Sequence, residues 1–239
     1  MRDGYLRGSL PVTPTARQVE ALAAFVAAGG SVSAAAALMG VRPSTVKRHL
    51  ADLRGWTTFV DAVEPEELMR VLGEFHAAIG RLVTRFDATV GFLEGDGVQL
   101  FFNDPIEIPD APLRAVQMAC ALREDTDRLI PLWRKRGHDL GLGVGVALGY
   151  ATCGEVGFEA RSDYAAIGSV TNLASRLADR ALGGQILIAQ RLYAEVEDAV
   201  DVEPIGELML AGFQRPVSAF NVVAVRGVVE APLEALGSG

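Results

Sequence analysis

Between Pro65 and Phe86 the apolar residues Leu68, Leu72, Phe75, Ile79 and Leu82 recur at every third or fourth position, which predicts an amphipathic helix. The period then changes. ATVGFLEGDGVQLFFND reads as a strand, a tight EGDG turn and a second strand, together a hairpin. Helical spacing returns from Ala111 to Arg136 and again from Val170 to Ala181, where Gly168-Ser169 starts the helix. LGLGVGVALGYATCGEVGF lies between them and reads as a glycine-spaced strand pair; QILIA, the segment around Glu203 and SAFNVVAV supply further strands. Helix, hairpin, helix and strand in this order predict an antiparallel sheet with helices on one face, an α+β domain.

The first part of the chain has a different pattern. Thr13-Pro14 offers a capping hydroxyl followed by proline at the first helical position, and Val19, Leu22, Ala23 and Val26 share one face before Gly29-Gly30 ends the run. SAAAALMG predicts a second short helix that stops at Gly40. In STVKRHLADLR, Val46, Leu50 and Leu53 fall at i, i+4 and i+7, which predicts a third helix with Arg42, Ser44, Thr45, Lys47 and Arg48 on its other face. Charge divides the same way: residues 1–55 carry a net +4 and the remainder a net −12, within a total of −8. A basic module suits phosphate contacts, whereas an acidic one does not lie along DNA unaided. The expected organisation is therefore a small all-α domain over residues 1–54, an α+β domain over 55–228 and a disordered tail over 229–239.

PVTPTARQVEALAAFVAAGGSVSAAAALMGVRPSTVKRHLADLR resembles the LuxR/GerE-type helix-turn-helix, most closely in VRPSTVKRHL. The resemblance implies double-stranded DNA as a partner, contacted through Ser44, Thr45, Lys47, Arg48 and His49, with Lys47 and Arg48 directed at phosphates. Ala34 to Ala37 are less polar than that family, and its fourth helix is missing. A small helical cap on the larger domain is the alternative reading.

At 239 residues, half of them hydrophobic, the chain can bury a full core. Cys120 and Cys153 have no metal-ligand spacing, no apolar run approaches the roughly 20 residues of a membrane span, and MRDGYLRGSL lacks a signal segment. A cytoplasmic protein with no membrane partner is expected. Candidate chemistry gathers at turns. Asp96 sits at the tip of EGDG and Asp52 just before the glycine of DLRG; two such carboxylates suit magnesium, which takes its remaining ligands from phosphates and water. Asn172 and Arg176 stand one helical turn apart in TNLASR, able to reach one phosphate or ribose together. Singly, each of these features is an ordinary turn or a solvated helix face.

Taken in order, DLRGWTTF, PEEL, LEGDGVQLFF, GVALGYATCGEVG, YAAIGSVTNLASRL and GGQILIAQ resemble the catalytic domain of the class III adenylate/guanylate cyclases over Asp52 to about Val225. The resemblance implies a ferredoxin-like α+β core, here following the all-α helix-turn-helix domain, that works as a head-to-tail homodimer with shared active sites. It also implies that Asp52 and Asp96 hold two Mg2+ or Mn2+ ions per site, that Leu53, Gly55, Trp56 and Thr57 bind the nucleotide, and that Asn172 and Arg176 orient the ribose and stabilise the transition state. The implied reaction converts ATP or GTP to a 3′,5′-cyclic nucleotide and pyrophosphate.

Four departures accompany it. The two base-selecting positions, usually polar, are Phe92 and Ala165; Ala211 precedes Gly212 where a basic residue is common; and TVKRHLA replaces the apolar first strand. If that segment is helical, Asp52 leaves a helix and one metal ligand is misplaced. The rival expectation is then a DNA-binding regulator whose cyclase-like domain only dimerises or senses nucleotide. A phosphatase or phosphodiesterase built on the same two aspartates lacks an accompanying histidine, since His76 and His138 fall in helix and loop contexts.

Overall fold

The structure, a computed structural model, describes residues 44–158 and 161–226. The helices expected before residue 44 and the tail over 229–239 lie outside the described residues. Ser44–Arg54 forms strand β1, not the expected recognition helix. It is hydrogen-bonded on both sides, antiparallel to β3 (Gly97–Phe102), with Ala51 opposite Val98, and antiparallel to β4 (Gly141–Phe158), with Arg54 opposite Gly141. Two partners satisfy the backbone of β1, and Ala51 and Leu53 are buried on alternate positions, so tertiary pairing overrides a local helical period. Ser44, Thr45, Lys47, Arg48 and His49 thus lie on an inner strand, which cannot enter a DNA groove as a recognition helix, and that assignment is corrected.

After β1 come the short helix α1 (Trp56–Ala62), α2 (Pro65–Phe86), the hairpin of β2 (Thr89–Glu94) and β3, and α3 (Ala111–Lys135). Then follow β4, β5 (Arg161–Ile167), α4 (Ser169–Arg180), β6 (Ile186–Ala189), α5 (Gln190–Val196), β7 (Val200–Leu208) and β8 (Val217–Val225). The sheet runs β2-β3-β1-β4-β6-β8-β7, with β5 paired to the outer part of β4. Two expectations change here. The glycine-spaced segment is one 18-residue strand rather than a pair of strands, and its pairing with β6 is parallel, so the sheet is mixed.

Helices also cover both faces. Phe75 and Ile79 of α2 and Val116, Met118 and Trp133 of α3 pack on the face that carries Leu100, Phe102, Val144 and Val146. The Trp133 indole and Arg136 both donate to the Glu74 carboxylate, at 2.6 and 2.8 Å, and pin α3 to α2. Helix α4 occupies the other face with Val170, Ala174 and Leu177. Its seat is glycine. A Cβ at Gly145 would collide with the Ala174 carbonyl oxygen and the Ala178 backbone nitrogen, and one at Gly149 would stand 2.9 Å from Val170 Cβ. The glycine spacing of β4 therefore lets the helix backbone rest directly on the strand.

Candidate active site

Near its C-terminal end the inner strand β1 carries Asp52, opposite Gly143, to the β1 edge, the margin of the sheet where this strand ends. The register of β3 against β1 brings the hairpin tip to the same place, and there the Leu53 backbone N–H donates to Asp96 Oδ2 at 3.0 Å. The turn is tight because Gly95 adopts φ 59°, a conformation that glycine reaches without a Cβ penalty. Asp96 is 8 % exposed. Burial, followed by a hydrogen bond and charge repulsion with the Asp52 carboxyl, pushes its pKa up to about 7 against the opposing pull of the Leu53 N–H. Two carboxyl groups so close together in a partly dry pocket are poised for a cation, which would remove the repulsion that otherwise retains a proton. Among the described residues no group of three or more His, Cys, Asp or Glu could hold a metal ion. Two carboxylates are nevertheless a fitting donor set for a hard cation that keeps waters and phosphate oxygens as its other ligands.

A cleft of about 390 Å³ opens at this edge, lined by Asp52, Leu53, Arg54, Gly55, Trp56, Thr57, Thr58 and Asp96. Gly55 makes the bend from β1 into α1, with φ 82°, and a Cβ there would lie 2.6 Å from the Asp139 carbonyl oxygen. All four residues expected to bind the nucleotide, Leu53, Gly55, Trp56 and Thr57, line the same cleft as the two aspartates. Arg54 and Thr58 line it as well and were not singled out from the sequence. For Arg54 the signal was available only once β1 is a strand: it stands two residues beyond Asp52, on the same face. Its Nη1 lies 3.6 Å from Asp52 Oδ2, and its Nη2 donates to the Ala178 carbonyl.

The other candidates lie apart from this cleft. Asn172 and Arg176 are exposed on α4, where Arg176 pairs with Asp179 at 2.9 Å. Phe92 is 41 % exposed on β2, opposite Gln99. Ala165 is half-buried on β5, opposite Gly154. None of these four lines the cleft of a single chain.

The sheet order, the helices on its two faces and the paired carboxylates at the β1 edge define the nucleotide-cyclase class of α+β domain. The chain belongs to the adenylate and guanylate cyclase catalytic domain family, whose model matches residues 44–223. It is 27 % identical over 183 residues to adenylate cyclase 1 of Rhizobium meliloti (strain 1021), a match that covers 75 % of this chain and 28 % of that protein. It is 33 % identical over 131 residues to the adenylate cyclase of Anabaena cylindrica, covering 53 % of this chain and 25 % of that one. The chain thus spans about a quarter of the length of these relatives. Among solved structures, the adenylyl cyclase CyaB from P. aeruginosa superposes with a TM-score of 0.73 at 31 % identity, over 77 % of this chain and 96 % of that one. A guanylyl cyclase superposes with the same TM-score at 26 % identity, over 77 % of this chain and 94 % of the other.

Proposed function

We propose that this chain forms 3′,5′-cyclic nucleotide and pyrophosphate from ATP or GTP, as a head-to-tail homodimer in the cytoplasm with two shared active sites. The observation that carries the proposal is the meeting of Asp52 and Asp96 in a nucleotide-sized cleft, reached because β1 is a strand. Asp52 and Asp96 would hold Mg2+ or Mn2+, two ions per site, whose chemistry is to acidify the ribose 3′-hydroxyl and offset charge on the leaving pyrophosphate. The turn from Leu53 to Thr57 closes around the phosphates. Exposure of Asn172 and Arg176 on α4 supports their serving the cleft of the second copy: Asn172 orients the ribose, and Arg176 stabilises charge that develops at the α-phosphate. Phe92 and Ala165, flanking the base, offer it an apolar wall and a small one. With β1 in the sheet, residues 1–43 have no recognition helix at Ser44–Arg54 to act through, so DNA binding is not part of this reading. No helix among the described residues is long and apolar enough to cross a membrane.

The test is cyclic-nucleotide formation by purified protein with ATP and with GTP, each in magnesium and in manganese, beside Asp96→Ala. Product that disappears in the variant supports the proposal and names the base; no product from folded, dimeric protein overturns it.

A further inference from the structure

Arg54 occupies an unusual junction. Its guanidinium reaches in two directions, to the Asp52 carboxylate at 3.6 Å through Nη1 and to the Ala178 carbonyl of α4 through Nη2, while the buried Nε has no hydrogen-bond partner. The side chain lies over Gly143. A Cβ at that position would come within 2.5 Å of both Nε and Nη2, so glycine is what lets the arginine stretch across β4. One residue pair further along the same face, Gly145 seats the α4 backbone against the strand. The helix whose exposed face carries Asn172 and Arg176 is therefore fixed to the sheet by a glycine seat and to the β1 edge by one arginine.

Under the two-copy reading proposed above, these two ends belong to different active sites. Asp52 works in the cleft of its own chain, and α4 of the same chain works in the cleft of its partner. We infer that Arg54 is a positioning residue that couples the two active sites of the dimer, linking the metal-binding edge of one to the helix lent to the other. Asp52 would share its carboxylate charge between the guanidinium and any cation it held, so loading one site would alter the hold on the other site's helix. Only arginine has the planar fork with donors in two fixed directions that this bridge needs; a lysine ammonium is a single point charge and spans one end.

A heterodimer of differently tagged copies tests the inference. One copy carries Arg176→Ala and gives its carboxylates to the only intact site; the other carries Asp96→Ala and gives that site its Asn172 and Arg176. Arg54→Met, which keeps the stem over Gly143, is then placed in one copy at a time. In the copy that lends α4, whose own Asp52 plays no part in the working site, it is expected to lower the rate at saturating nucleotide and magnesium by roughly tenfold or more, with the metal midpoint unchanged. In the copy that lends the carboxylates it is expected to shift the metal midpoint. Gly143→Ala in the copy that lends α4 should reproduce the rate loss, and Arg54→Lys should fail to rescue it. If either Arg54 variant prevents dimer assembly, Gly143→Ala alone decides.

A rate that stays within about twofold when the copy lending α4 is altered, by Arg54→Met or by Gly143→Ala, makes Arg54 a local neighbour of Asp52 and overturns the coupling. Absence of product from the heterodimer with Arg54 and Gly143 intact is a distinct result. It shows that the two-copy site itself fails, and the inference falls with it.

Discussion

The β1 edge and the outer face of α4 are the two halves of the proposed active site, and they are built to different degrees. At the β1 edge, strand register alone brings Asp52, Leu53 and Asp96 together, one carboxylate being buried and bonded to a backbone N–H. On α4, Asn172 and Arg176 face outward, and Arg176 pairs with the exposed Asp179. Under the proposed division, one half is complete when a single chain folds and the other only against a second copy. Metal affinity should accordingly be a property of the single chain, and turnover a property of the pair.

The largest effect that separates the halves is expected at Asp96. Asp96→Asn should abolish turnover by removing a carboxylate at the edge, yet raise the melting temperature of the metal-free protein, because it removes a like-charge contact from a buried position. A turnover assay and a thermal melt read the two effects separately, and calorimetric titration with Mg2+ reads the metal binding lost with the carboxylate. Arg176→Ala should lower kcat by roughly 100- to 1,000-fold, the scale of losing one charge-stabilising donor, with metal binding unchanged by the same calorimetry. Gly145→Ala strikes the support of α4 instead. The added methyl meets helix backbone that cannot swing aside, so a loss of about 1–3 kcal/mol in chemical unfolding is expected, and activity should fall with it.

The smallest effect lies away from both halves. A hydrogen bond from Arg136 holds the Glu74 carboxyl below its ordinary value of 4.5. The folded protein therefore binds this proton less readily than the unfolded chain, and the stabilisation is present above that value and lost as pH falls below it. Glu74→Gln should cost a few tenths to about 1 kcal/mol at neutral pH, with the gap to wild type closing on acidification. Melting curves at neutral pH and at about pH 3.5 check the sign.

The parts of the fold with a clean period were legible in the sequence. Helices α2, α3 and α4 and the β2–β3 hairpin fall where the apolar spacing put them. Strand β1 was not legible, because an inner strand of a sheet covered by helices on both faces needs no strict alternation, and its Val46, Leu50 and Leu53 happen to repeat at helical spacing. The continuity of β4 was also hidden, since Gly145 and Gly149 mark the seat of α4 and not a turn. In the candidate site, each aspartate was visible as a turn carboxylate, but their contact depends on the register of β3 against β1. Arg54 escaped notice for the same reason: only on a strand does it share a face with Asp52.

The most direct test of a site divided between two copies is to mix inactive homodimers of Asp96→Ala and Arg176→Ala, allow their subunits to exchange, and measure cyclic-nucleotide formation. Each mixed dimer then holds one site with both aspartates from one copy and an intact α4 from the other. Recovery of product, rising with the fraction of mixed dimer, is the predicted result. Confirmed exchange with no recovery would contradict the division of the active site between the β1 edge of one chain and α4 of the next.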